Sequence, residues 1–143
     1  MEIAERNEKK KAYLMGYHYC RRREAQLAQQ IAELRSQKMN PSIQNDGMPH
    51  GSSVGDLSGY MARLDALVRQ LEQERELAVE QYKEIHDQIY KMQDGAEKEV
   101  LERRYLMGET WEQIAVQMNY TYRHVIRLHG TALRNFMLPH KMS

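Results

Sequence analysis

Eleven positions of the chain, 57, 61, 64, 68, 71, 75, 78, 82, 85, 89 and 92, alternate spacings of four and three. They read Leu57, Met61, Leu64, Val68, Leu71, Arg75, Ala78, Tyr82, Ile85, Ile89 and Met92, ten apolar or aromatic residues and one charged. A helix keeps one stripe toward a partner when apolar side chains recur every 3.5 residues, so this run predicts a coiled-coil helix over 57–92. At 1.5 Å per residue it spans about 50 Å, a large share of a 143-residue chain. Asp56 or Ser58 is placed to cap its start, and Asp94-Gly95 marks its end.

A weaker copy of the pattern, Tyr13, Tyr17, Cys20, Glu24, Leu27, Ile31 and Leu34, predicts a first heptad helix within 1–39, because Pro41 disfavours helical geometry at Asn40. Between the two, 40–56 reads as a linker loop punctuated by Pro41, Asn45-Asp46-Gly47, Pro49, Gly51 and Gly55. A loop of that length lets the helices fold back antiparallel. The charged seam residues Glu24 and Arg75 then fall close enough to pair and set the register; the alternative is that both extend their charged tips to water.

Composition agrees with helices and little else. Three Pro, eight Gly and 29% charged residues leave helix-favouring side chains dominant and exclude a sheet protein. No run of about 18 apolar residues exists, so no membrane span is expected. The first residues, Met1-Glu2-Ile3-Ala4-Glu5-Arg6, lack the apolar core of a signal peptide, which points to the cytoplasm of a bacterial or phage-infected cell. Cys20 is the sole cysteine, so no intrachain disulfide forms.

Beyond Gly95 the period changes to three short amphipathic segments, expected to form one domain over 95–143. Ala96–Met107 is opened by Asp94 with Glu97 three residues on, turns Val100, Leu101 and Tyr105 inward, and stops at Gly108. Trp111–Met118 is capped by Thr110 with Gln113 and buries Trp111, Ile114, Ala115 and Met118. After the link Met118-Asn119-Tyr120-Thr121 comes a helix from Tyr122 to Phe136, with Val125, Leu128 or His129, Ala132, Leu133 and Phe136 inward.

Charge is uneven along the chain. Residues 1–40 carry a net +4, 41–94 a net −5 and 95–143 a net +2, and from Ala115 onward there are Arg123, Arg127, Arg134 and Lys141 without one carboxylate. That end carries a positive field, to which His124, His129 and His140 add below about pH 6.5. Two short helices joined by a tight turn, the second free of acids, form a helix-turn-helix arrangement. With Val125, Leu128 and Ala132 inward, Tyr122, Arg123, Ile126 and Arg127 are offered to base edges: the arginines to guanine, Tyr122 and Ile126 to a thymine methyl. Thr110 and the N–H groups opening the Trp111 helix meet phosphate, and Arg134 and Lys141 read as backbone contacts or solvated charges. The runs Lys9-Lys10-Lys11 and Arg21-Arg22-Arg23 read as solvated charge, with contact to DNA phosphate as the alternative.

The run Glu109-Thr110-Trp111-Glu112-Gln113-Ile114-Ala115, then Met118-Asn119-Tyr120-Thr121, Val125 and Ala132-Leu133-Arg134, resembles region 4 of sigma-70-type factors. The preceding Val100-Leu101-Glu102-Arg103-Arg104-Tyr105-Leu106-Met107-Gly108 is similar to the stretch that leads into that region, and the likeness covers about 40 residues. The wider layout, with Asp46-Gly47-Met48-Pro49-His50-Gly51 in the linker, resembles small phage and prophage transcription regulators of Gram-positive bacteria, thought of as controllers of late genes. The resemblance implies that Tyr122, Arg123, Ile126 and Arg127 stand at promoter-reading positions. Their side chains differ from those usual in sigma factors, so a different promoter sequence is implied. Nothing corresponds to the sigma regions that open DNA or grip the polymerase clamp.

The expectation is therefore an all-α protein: a long helical hairpin or coiled coil, then a three-helix domain that binds double-stranded promoter DNA and regulates transcription. It would assemble as a homo-oligomer through the heptad helices, with RNA polymerase as a further candidate partner. The rivals are a DNA-packaging recognition subunit of small-terminase type and an assembly protein that binds no DNA. No catalytic pattern, cofactor motif or metal-ligand spacing is present, so neither enzyme activity nor a cofactor is expected.

Overall fold

A computed structural model describes residues 2–39 and 54–142. The protein is all-α: among the described residues it forms helices α1 (Ile3–Leu14), α2 (Gly16–Met39), α3 (Val54–Tyr90), α4 (Gly95–Leu101), α5 (Trp111–Met118) and α6 (Tyr122–Asn135). A π-turn over Glu102–Leu106 follows α4, and a 3-10 turn over His140–Met142 follows α6. Within the described residues no helix is long and apolar enough to cross a membrane. Residues 40–53 of the expected linker, including its Asp46-Gly47-Met48-Pro49-His50-Gly51 stretch, lie outside the described residues. Positions 54–56 belong to α3, so Asp56 and Ser58 sit inside that helix rather than at its cap.

The heptad stretch expected as one helix breaks at Met15. Gly16 opens α2 and leaves room for a neighbour's side chain, since a Cβ there would stand 2.6 Å from Gln81 Oε1. The helix expected over 96–107 also changes character. Asp94 Oδ1 accepts the Glu97 N–H at 2.9 Å and caps α4, but from Glu102 the backbone widens and the Met107 N–H bonds Glu102 O at 2.9 Å. Arg103 holds the wide turn from both sides, bonding Glu99 at 2.7 Å and Glu109 at 3.0 Å. Gly108, at φ +71°, then stops the helix in a conformation that other residues rarely adopt.

The chain divides into two compact units, Cys20–Leu77 and the combination of Met1–Tyr19 with Ala78–Ser143. The second has the larger core. Tyr13 and Leu14 of α1, Ile85 and Ile89 of α3, Met92, Val100 and Leu101 of α4, Ile114 of α5, and Val125, Ala132, Leu133 and Phe136 at the end all pack together. Change of period at Gly95 marks where the helices shorten, but the core that covers them takes in α1 and the end of α3. In the Cys20–Leu77 unit, Leu27 and Ile31 of α2 pack with Leu71 of α3, against Leu64, Leu67 and Val68. Arg23 bonds Glu74 at 2.8 Å across the two helices.

The buried face of α3 is not centred on the regular seam. Leu71, Ala78, Ile85, Ile89 and Met92 are buried as expected, yet Leu57, Met61 and Tyr82 are 49%, 52% and 43% exposed and Arg75 is exposed too. Gln88, outside the seam, is buried instead, its amide donating to Met137 O at 2.8 Å. The line 64, 71, 78, 85 and 92 belongs to both possible stripes, and between its members α3 turns its polar flank, Glu74 and Gln88, inward. For this reason Glu24 and Arg75 do not pair. Glu24 is buried and takes Arg21 from its own helix at 2.7 Å, and the cross-helix ion pair is Arg23–Glu74.

Two seam positions of equal standing in the sequence should therefore respond differently to truncation. Ile89→Ala should cost about 3 kcal/mol in urea unfolding, through lost burial and a residual cavity, whereas Arg75→Ala should stay within about 0.5 kcal/mol of the parent.

Candidate nucleic-acid interface

Helices α5 and α6 are set by their caps. Thr110 Oγ1 accepts the Gln113 N–H at 3.1 Å, and Gln113 Oε1 accepts the Thr110 N–H at 2.8 Å, closing a reciprocal box at the start of α5. Asn119 ends α5 at φ 58°, a left-handed conformation that asparagine tolerates better than most side chains, and the Tyr120 N–H bonds Ala115 O at 2.9 Å. Thr121 Oγ1 then accepts the His124 N–H at 3.1 Å and starts α6. Three residues, Asn119 to Thr121, thus join α5 to α6, within the link Met118-Asn119-Tyr120-Thr121 read from the sequence.

Helix α6 is strongly two-faced. Val125, His129, Ala132 and Leu133 are buried, and Phe136 beyond its end is fully so. Opposite them, at about 100° per residue, Arg123, Arg127, Gly130 and Arg134 fall within an arc of about 60°. Ile126 lies about 40° beyond one edge of that arc and Tyr122 about 80° beyond it, toward the buried stripe; they are 38% and 50% exposed, and all three arginines are exposed. Among the described residues no carboxylate pairs with Arg123, Arg127 or Arg134. Other cations are committed: Arg21 to Glu24, Arg23 to Glu74, Arg69 to Asp65, Arg103 to Glu99 and Glu109, and Lys11 to Glu8. Lys141, read as a backbone contact or solvated charge, bonds Glu84 at 3.0 Å. Of the sequence-selected set, five residues share α6; Thr110 stands apart at the head of α5, exposed, with its oxygen engaged in the cap.

Behind the arginine row lies a polar and aromatic brace. His129 Nε2 is 2.7 Å from Tyr105 Oη, and the His129 ring meets Trp111 edge-on at 4.6 Å. The Arg104 guanidinium lies over the Trp111 ring at 4.2 Å. Burial, with smaller contributions from Lys11 and Arg104, pushes His129 down to about pKa 4, and burial foremost pushes Tyr105 up to about 12. His129 is thus a packed, neutral residue at pH 6 rather than part of the field of α6, and it, not Leu128, is the buried member of the pair read as inward. Tyr120 packs edge-on against His124 at 4.4 Å.

Two contributors carry no local signal in the sequence. Lys10, within a run that reads as solvated charge, donates its Nζ to Leu133 O at 2.8 Å and Arg134 O at 3.1 Å, capping the C-terminal end of α6 from a helix more than a hundred residues away. Gly130 sits inside a 14-residue helix, where glycine is about 1 kcal/mol less favourable than alanine. A Cβ at that position would meet nothing within 4 Å, and its φ is not positive. Among the described residues neither packing nor backbone conformation calls for glycine there.

Chemically, the outer face of α6 offers planar donors at a spacing suited to a polyanion, with apolar contact at one flank. No group of three or more His, Cys, Asp or Glu side chains placed to hold a metal ion occurs among the described residues. A family model described as "Protein of unknown function (DUF722)" matches residues 11–135, from within α1 to the last residue of α6. No curated protein and no solved structure matches the chain.

Burial of neutral His129 makes stability depend on pH. An unfolded histidine titrates near 6.5 and the folded one near 4, so between those values the unfolded chain binds the extra proton. The stabilising term is complete above pH 6.5 and is lost as pH falls toward 4, by roughly 2–3 kcal/mol. Urea unfolding at neutral and at acid pH should show that His129→Gln loses less stability over this window than the parent; equal losses would contradict the assignment.

Proposed function

The chain belongs to the DUF722 family, whose description assigns no activity, and from the outer face of α6 we propose that it binds double-stranded DNA and regulates transcription. In this reading α5, the turn at Asn119 and α6 act as a helix-turn-helix unit, with α6 in the major groove. The observation that carries it is the row of Arg123, Arg127 and Arg134, exposed and unmatched by any carboxylate among the described residues, on a helix whose other face is locked into the core. Arg123 and Arg127 each donate two hydrogen bonds to guanine, while Tyr122 and Ile126 touch thymine methyl groups. Arg134 meets a phosphate. Thr110, whose oxygen already accepts within the cap, directs its O–H proton and the N–H groups of α5 to the backbone. The resemblance to region 4 of sigma-70-type factors, and to phage and prophage regulators, supports the same reading.

Leu57 and Met61, exposed on α3 beside Leu64 and Val68, support self-association of the heptad helices. A second copy of the chain that presents the same stripe covers it, and two DNA-binding domains joined in this way read two half-sites.

Fluorescence anisotropy against duplex DNA should give binding that weakens steeply with salt, and Arg123→Ala combined with Arg127→Ala should weaken it about 30-fold or more. Absence of binding even at low salt overturns the proposal. Light scattering should report a dimer or larger assembly for the parent and a smaller mass for Met61→Glu. A monomeric parent would remove the oligomer from the reading while leaving the DNA contact intact.

A further inference from the structure

We infer that Gly130 is a contact point for the DNA backbone, the place where α6 comes within a methyl group's width of a sugar-phosphate strand. The inference rests on the DNA-binding reading and adds a residue to it. Three observations converge on this position. Gly130 lies in the same arc as Arg123, Arg127 and Arg134, where the arginine spacing would otherwise place another side chain. The space that a Cβ would enter is open, with no other part of the described residues within 4 Å. The backbone is ordinary helix, since the positive-φ residues are Asn119 and Gly108. The residue therefore weakens its own helix without relieving any crowding or strain within the protein.

A polyanion lying on the arginine row supplies what the chain does not. With Arg127 one turn before Gly130 and Arg134 one turn after, a strand whose guanine meets Arg127 and whose phosphate meets Arg134 passes over the intervening turn. Any side chain at 130 would hold that strand off and lengthen both contacts. An adaptable docked protein would tolerate a methyl group there, whereas a stiff duplex, held at several points along α6, would not. Charge complementarity with the acid-free face commits the occupant to nucleic acid.

The test compares Gly130→Ala, Gly130→Ser and Arg127→Ala in the full chain, by thermal melting and by anisotropy on a labelled duplex pool of random sequence at low and physiological salt. Gly130→Ala should raise Tm by about 2–5 °C and weaken binding at least tenfold; Gly130→Ser should bind no better, and Arg127→Ala should weaken binding without raising Tm. If the parent binds and Gly130→Ala binds equally well, the inference falls while the DNA reading stands. If Gly130→Ala lowers Tm, the glycine serves the fold and the inference likewise falls. Should the parent bind no duplex at low salt, the DNA reading fails and takes this inference with it.

Discussion

Everything proposed for α6 depends on how its inner face is covered. A 14-residue helix with three arginines and no acids has few side-chain pairs to hold it, and an isolated helix of that length is marginal in water. Its stability comes from burial. Val125, Ala132, Leu133 and Phe136 are inserted among Tyr13, Leu14, Ile85, Ile89 and residues of α4 and α5, and at roughly 25 cal/mol per Å² of apolar surface these contacts outweigh the helix's own preferences. Tyr13 and Phe136 meet with ring centroids 6.0 Å apart. The outward arginines are aimed by what lies beneath them.

Buried polar groups give that packing a single solution. Gln88 meets the Met137 carbonyl, Glu97 the Asn135 amide and His129 the Tyr105 hydroxyl, each at 2.7–2.8 Å. A slipped arrangement would leave at least one of these groups buried without a partner, at a cost larger than the bond itself contributes. Two of the bonds, from Gln88 and Asn135, tie the ends of α3 and α6 to segments distant in sequence. They add more to uniqueness than to net stability.

Local chemistry was legible in the sequence and non-local covering was not. The caps at Asp94 and Thr110, the stop at Gly108, and the inward sets of α4, α5 and α6 all depend on residues within four positions of one another, and the pattern encodes them directly. The break at Met15 and the π-turn after Leu101 leave no comparable mark. Arg75 and Tyr82 show a deeper reason for failure. A heptad stripe and its neighbour share every seventh residue, so the spacing leaves open which flank turns inward, and the partner helix decides. The less regular pattern on the first heptad stretch, with Tyr13, Cys20, Glu24, Leu27 and Ile31, is buried more completely than the N-terminal half of the strict one. For the candidate interface, the arginine row was readable as charge without acids. The roles of Lys10 and Gly130 were not, because the first rests on contact across more than a hundred residues and the second on the absence of contact.

One compact unit is assembled from the two ends of the chain, Met1–Tyr19 and Ala78–Ser143, with the whole of the other unit between them in sequence. Order of synthesis then becomes a physical variable. Helix α1 leaves the ribosome with Tyr13 and Leu14 exposed, and at roughly 5–20 residues per second it waits on the order of ten seconds for α6. Residues Cys20–Leu77 can meanwhile form their own contacts, because both helices of that unit are complete before α4 appears. Closure of the α6-bearing core thus waits for α6, across a loop whose closure entropy grows slowly with its length, and the surface that carries the arginines exists only once α6 has been made.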